Sequence, residues 1–164
     1  DLGGGVTATA IGLPGHTAGH CGFLIEPDGV FYLADVDLSS FGPLYSDRRA
    51  SLADMRRTVE LCAGIEAACY APFHHKGPFF DRPGFRQALA RFAAMMDARQ
   101  ERILELVSAG ATRVDQMVGA GVLYRPGPRP PFADEMERSV CAKHLDDLVE
   151  RGLLATSEGD YVPG

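Results

Sequence analysis

The sequence predicts a mixed α/β (α+β) chain, strands first and helices after, on three observations. Between Val6 and Ala71, four short runs of small, β-branched and aromatic residues are separated by Gly- and Pro-containing turns. One of those turns, Leu13-Pro14-Gly15-His16-Thr17-Ala18-Gly19-His20, carries two histidines four residues apart. After Pro83-Gly84 the chain becomes Ala- and Arg-rich at helical spacing. The expected division is therefore 1–83 and 84–164. Its 164 residues, 46% apolar and 23% charged, have the composition of a globular protein of one domain or two small ones. A net charge of −6 with no long basic run speaks against strong binding to nucleic acid or anionic membranes. No apolar run approaches the roughly 18 residues of a membrane span. Cys21, Cys62, Cys69 and Cys141 form no CxxC pair and read as free thiols in a reducing, cytoplasmic setting. The chain opens at Asp1 with no Met and no signal-peptide pattern. That reads as a start in the middle of a longer protein, by engineering, processing or proteolysis.

Val6 to Ile11 reads as a first strand, followed by the Gly/His loop. Cys21 to Glu26 is a second, closed by the turn Pro27-Asp28-Gly29. Val30 to Leu33, apolar on both faces, reads as a central third strand ending at Ala34-Asp35. An irregular loop follows to Ser46. Ser51 is placed to cap a helix reaching Cys62, with Gly64 ending it. Ala67 to Ala71 is a short fourth strand stopped by Pro72, before Phe73-His74-His75-Lys76-Gly77-Pro78. Phe85 to Ala109 is helical, in one piece or two. Thr112 is placed to cap a short helix, Val114 to Val118, and Tyr124 to Phe132 is a Pro-rich loop. Asp134 to Arg151 is an amphipathic helix, and Ser157-Glu158-Gly159 joins a closing hairpin. Helices followed by a hairpin give the order of a winged helix.

Histidines on a Pro/Gly loop, an Asp at a strand end and a His pair at another strand end form a set suited to zinc, iron or manganese. Alone, each has an ordinary reading: turn histidines for His16 and His20, a cap for Asp35, a solvated pair for His74 and His75. A loop fixed by a sheet can hold a ligand while leaving a coordination position open.

In order, Leu-Pro-Gly-His-Thr-x-Gly-His, then apolar strand-Ala-Asp, then strand-Pro-Phe-His resemble the third, fourth and fifth motifs of the metallo-β-lactamase-fold hydrolases. The resemblance implies that His16 is a metal ligand and that Asp35 bridges two metals, zinc with iron or manganese as alternatives. It implies that His74, rather than His75, is the last ligand. His20 corresponds to the motif's second histidine, a neighbour of the site serving polarity or proton transfer and so the one candidate catalytic side chain. Ala34 departs from the Gly that the family carries before the Asp. The implied activity is hydrolysis by metal-bound hydroxide of an ester, thioester, lactone or phosphodiester in a small molecule.

None of the five histidines (His16, His20, His74, His75, His144) has the spacing of H-x-H-x-D-H, the family motif that supplies the other ligands. The implied fold is thus the second half of an αββα sandwich, with a helical linker and a winged-helix domain resembling the tail of one lactamase-like branch. The resemblance implies a truncated chain that is inactive by itself and binds metal poorly. Val6, Ala8, Ala10, Phe23, Ile25 and Phe31 are expected on the face left by the absent sheet, favouring self-association or a retained N-terminal partner. The winged helix allows an alternative, a non-catalytic binding or interaction module, with nucleic acid as one candidate ligand. Asp134, Glu135, Glu137, Asp146, Asp147 and Glu150 on its last helix argue against that, and packing over the hydrolase domain is the expected role. The Pro-rich loop with Arg125, Arg129 and Tyr124 has two readings, a reach toward substrate or a solvated linker, and His144 is expected on the helix surface.

Overall fold

The computed structural model describes residues 1–74 and 76–164. These form two compact units, Asp1–Leu44 with Arg49–Met95, and Tyr45–Arg48 with Met96–Gly164.

The first unit is built on a four-stranded sheet of order β1-β2-β3-β4. Strands β1 (Thr7–Gly12), β2 (Cys21–Glu26) and β3 (Val30–Ala34) are antiparallel neighbours, and β4 (Cys69–Pro72) lies parallel to β3. The parallel pair needs a crossover, supplied by helix α1 (Leu52–Gly64). Ser51 caps α1 as expected, its Oγ accepting from the Asp54 N–H at 3.1 Å. Phe31 and Leu33 on β3 and Tyr70 on β4 are fully buried with Cys62 of α1 and with Phe85, Leu89 and Phe92 from the start of α2 (Arg82–Ser108). Tyr70 stacks on Phe85 with ring centroids 3.9 Å apart.

The opposite sheet face is open. Ala8 and Ala10 are exposed, as is Phe23, while Ile25, Val30 and Tyr32 are partly exposed. Phe31 was expected on this face and instead lies at the core of the other. It pairs with Leu24 of β2 and Tyr70 of β4, whereas Phe23 pairs with Tyr32. Alternation along β3 then sends Phe31 and Leu33 one way and Val30 and Tyr32 the other.

Helix α2 is a single 27-residue helix whose second half belongs to the second unit. There it is followed by one 3-10 turn (Val114–Gln116), α3 (Ala133–Glu150) and the hairpin β5 (Leu154–Ser157) and β6 (Asp160–Pro163). The expected helix from Val114 to Val118 is cut short. Gln116 Oε1 accepts from the N–H groups of both Thr112 and Arg113, and the chain turns at Gly119 with φ +81°. Ile103, Val107, Met117, Cys141, Leu145, Leu148 and Leu154 form this unit's core.

Two polar side chains of α3 lie inside that unit. Glu137, expected among the surface acids, is fully buried and accepts from the N–H of Gly119 at 2.7 Å and of Leu123 at 2.8 Å. His144, expected on the helix surface, is also fully buried. Its Nε2 is 2.8 Å from the Tyr45 hydroxyl, to which buried Arg99 donates at 3.2 Å. Both occur at helical spacing with Val140, Cys141, Leu145 and Leu148, so they share the apolar stripe. Arg129 of the Pro-rich loop pairs with Asp134 at 2.6 Å.

Candidate metal centre

The loop from Leu13 to His20 is held closed at its base, where the Leu13 N–H donates to His20 O at 2.9 Å. Its far side is tied to α1: the Ser51 N–H donates to Gly15 O at 3.1 Å and Thr58 Oγ1 donates to Pro14 O at 2.6 Å. Gly15 is required here. Its φ is +129°, and a Cβ would stand 2.5 Å from the Met55 nitrogen.

On this platform the two histidines take different environments. His16 Nδ1 donates to Leu44 O at 2.8 Å, which leaves its Nε2 with a lone pair. His20 has both nitrogens on the backbone: Nδ1 donates to Leu13 O at 2.7 Å, and Nε2 accepts from the Asp35 N–H at 3.0 Å. A carbonyl only accepts, so Nδ1 carries the proton and neutral His20 cannot also donate from Nε2. Its 3.6 Å approach to Asp35 Oδ2 is therefore a by-product of holding the Asp35 backbone.

Asp35 follows the end of β3, where the β3–β4 register shifts between Tyr32 and Ala34. Such irregularities re-aim side chains. His74 follows β4, and its Nε2 lies 3.1 Å from Asp35 Oδ1. His16, Asp35 and His74 line one recess of about 120 Å³, shared with Asp37, Phe41 and Leu44. Asp37 lies on the irregular loop two residues beyond Asp35, outside the motif residues. His75, the alternative ligand, lies outside the described residues. Among the described residues, no three His, Cys, Asp or Glu side chains stand close enough together to hold a metal as they are.

Strain concentrates around this recess. Ala34 (φ +47°), Leu38 (φ +55°) and His74 (φ +66°) all sit in the left-handed region without being glycine. Each costs on the order of 1 kcal/mol or more and persists only where surrounding structure enforces it. At Ala34 a Gly would be relaxed.

No protein-family model matches the sequence, and no curated protein is similar to it in sequence. Solved structures do resemble it. A metallo-β-lactamase family protein from Thermus thermophilus superposes with a TM-score of 0.75 over 96% of this chain and 49% of its own, at 23% identity. A β-lactamase domain protein from Burkholderia ambifaria gives 0.74 over 98% of this chain and 49% of its own, at 20% identity. The chain has a metallo-β-lactamase-type fold. It spans about half the length of both structures. The likeness establishes the fold; the chemistry rests on the residues in the recess.

Proposed function

We propose that this chain carries part of the metal site of a metal-dependent hydrolase of the metallo-β-lactamase superfamily. The observation that carries this reading is that His16, Asp35 and His74 share one recess on three separate strand-end loops. Two imidazoles and a carboxylate are the donor chemistry of zinc, with iron and manganese as alternatives. His16 is prepared for the role, because its bond to Leu44 O orients the ring and presents Nε2. Asp35 and His74 now bond each other and would exchange that bond for the metal. A bound metal lowers the pKa of its water toward ~7 and polarises a substrate carbonyl or phosphoryl group. His20 holds Asp35 from behind through its main-chain N–H, a positioning role that leaves the imidazole buried in backbone contacts. Three side chains from this chain do not close a two-metal site, so the 164 residues by themselves bind metal weakly and do not turn over substrate. The remaining ligands would come from a complementary half seated against the open sheet face, or a second copy would cover that face.

We read the second unit as a winged-helix-like module from its order of helices, turn and hairpin. Asp134, Glu135, Asp146 and Glu150 are exposed on α3, which does not favour a DNA-reading role. No helix among the described residues is long and apolar enough to cross a membrane. All four cysteines are free thiols, in keeping with a reducing cytoplasm.

Zinc titration followed by imidazole ¹⁵N NMR tests the ligand assignment. Zinc is expected to move the Nε2 resonances of His16 and His74 and to leave both nitrogens of His20 in place. Movement of His20 with His16 unmoved would refute it.

A further inference from the structure

Beside the recess lies a larger cleft of about 450 Å³, in the size range of small-molecule sites. One loop forms a wall of both. Asp37, Phe41 and Leu44 face the recess, whereas Leu38, Ser39 and Ser40 line the cleft. From the other side come Lys76, two residues beyond His74, and Arg91 of α2. We propose that this cleft seats the anionic group of the substrate, a carboxylate or phosphate carried on an apolar body. The proposal rests on the hydrolase reading above and deepens it by naming a substrate class.

Charge carries the argument first. The chain has a net charge of −6, yet among the described residues no carboxylate lines this cleft and the two charged side chains that do are both cations. Neither Lys76 nor Arg91 makes an ion pair or hydrogen bond with a described residue, whereas Arg82, Arg102, Arg113, Arg129, Arg138 and Arg151 all pair with carboxylates. The acids gather next door instead, Asp35 and Asp37 on the recess that would take a cation. One loop thus separates a carboxylate-lined recess from a cation-lined cleft. A substrate with an anionic end matches that alternation.

Polar groups and shape agree. Ser39 and Ser40, which carry neutral hydroxyl donors, line the same cleft as the two cations. Asp37 Oδ1 accepts from the Ser39 N–H at 3.0 Å, and the left-handed backbone at Leu38 fixes the turn that presents both serines. Leu38, Phe79 and Ala88 add apolar surface, which suits an anion attached to a hydrocarbon or ring rather than a bare ion. Arg91 is held on a helix, so its position does not depend on the loop.

The test uses the metal-free chain in EDTA, titrated with phenyl phosphate, benzoate and benzyl alcohol and followed by amide NMR. Both anions are expected to shift the Ser39, Ser40 and Gly77 amides to saturation, and the neutral alcohol to leave them unmoved. The tighter of the two anions names the group as phosphate or carboxylate. K76Q/R91Q, at two exposed positions that leave the core intact, is expected to weaken anion binding roughly tenfold or more. The same variant should keep the zinc titration of the parent chain. Equal shifts from benzyl alcohol, no saturable shift from either anion, or unchanged anion affinity in K76Q/R91Q would overturn the proposal. Because anion and zinc are titrated separately, loss of zinc binding with anion binding intact sinks the metal reading and leaves the cleft, and the converse sinks the cleft alone.

Discussion

The two units bury polar side chains to opposite ends. In the second unit, Glu137 and His144 are fully buried on one stripe of α3, where Glu137 accepts two backbone N–H groups and His144 meets Tyr45. In the first unit, Asp35 and His74 keep 35% and 43% of their side-chain surface exposed and converge on each other. Glu137, buried and bonded to the backbone of its own chain, stabilises the fold and offers nothing to a ligand. Polar groups held half in solvent by strained backbone are available for one. Residue type alone therefore does not separate these histidines; their burial and their partners do.

The contrast is sharpest where a substitution costs stability in one unit and metal binding in the other. Replacing Glu137 with Ala strands the N–H groups of Gly119 and Leu123, and we expect a loss of about 3 kcal/mol or more in denaturant unfolding. His144→Leu removes the bond to Tyr45 and should cost roughly 1–3 kcal/mol. Neither should alter zinc titration. Alanine at His74, which is 43% exposed, should leave stability within about 0.5 kcal/mol while removing zinc binding. A stability loss at His74 as large as at Glu137 would break the comparison.

Two thiols extend it. Burial pushes Cys62 and Cys141 up to about 12, so at pH 8 both remain protonated and unreactive. Native protein treated with iodoacetamide at that pH should be labelled at the partly exposed Cys21 and Cys69 only, with Cys62 and Cys141 reacting after unfolding. Equal labelling of all four in the native state would show that the cores are open.

How much of this was legible in the sequence follows from whether the signal is local. The loop from Leu13 to His20 and the strands around it are specified by glycine, proline and alternation within a few residues, and they form as expected. The face of Phe31 was not legible, because β3 is apolar at Val30, Phe31, Tyr32 and Leu33 alike, and only pairing across strands assigns sides. His144 was legible in principle. It lies four residues after Val140 and four before Leu148, in phase with the apolar stripe, but residue type alone assigns histidine and glutamate to the surface. The cleft at Ser39, Ser40, Lys76 and Arg91 had no local signal, since it joins positions about fifty residues apart.

The open face of the sheet offers a smaller test. Phe23→Glu places a charge on that face without touching the core and should shift sedimentation toward monomer, with a stability change within about 0.5 kcal/mol. A parent chain that stays monomeric at high concentration would remove the reason for the shift. The smallest expected effect is at Ala34. Ala34→Gly relieves a left-handed alanine but adds freedom to the unfolded chain, so melting should rise by no more than about 1 kcal/mol equivalent. A clear destabilisation would show that the backbone there is not strained.

Calorimetric zinc titration of the chain, compared with His16→Ala, Asp35→Ala and His74→Ala, bears most directly on the reading of the recess. A single weak binding event, lost in each of the three variants, is the expected result. Tight binding of two zinc ions by the parent chain, or an isotherm that none of the three substitutions changes, would contradict it.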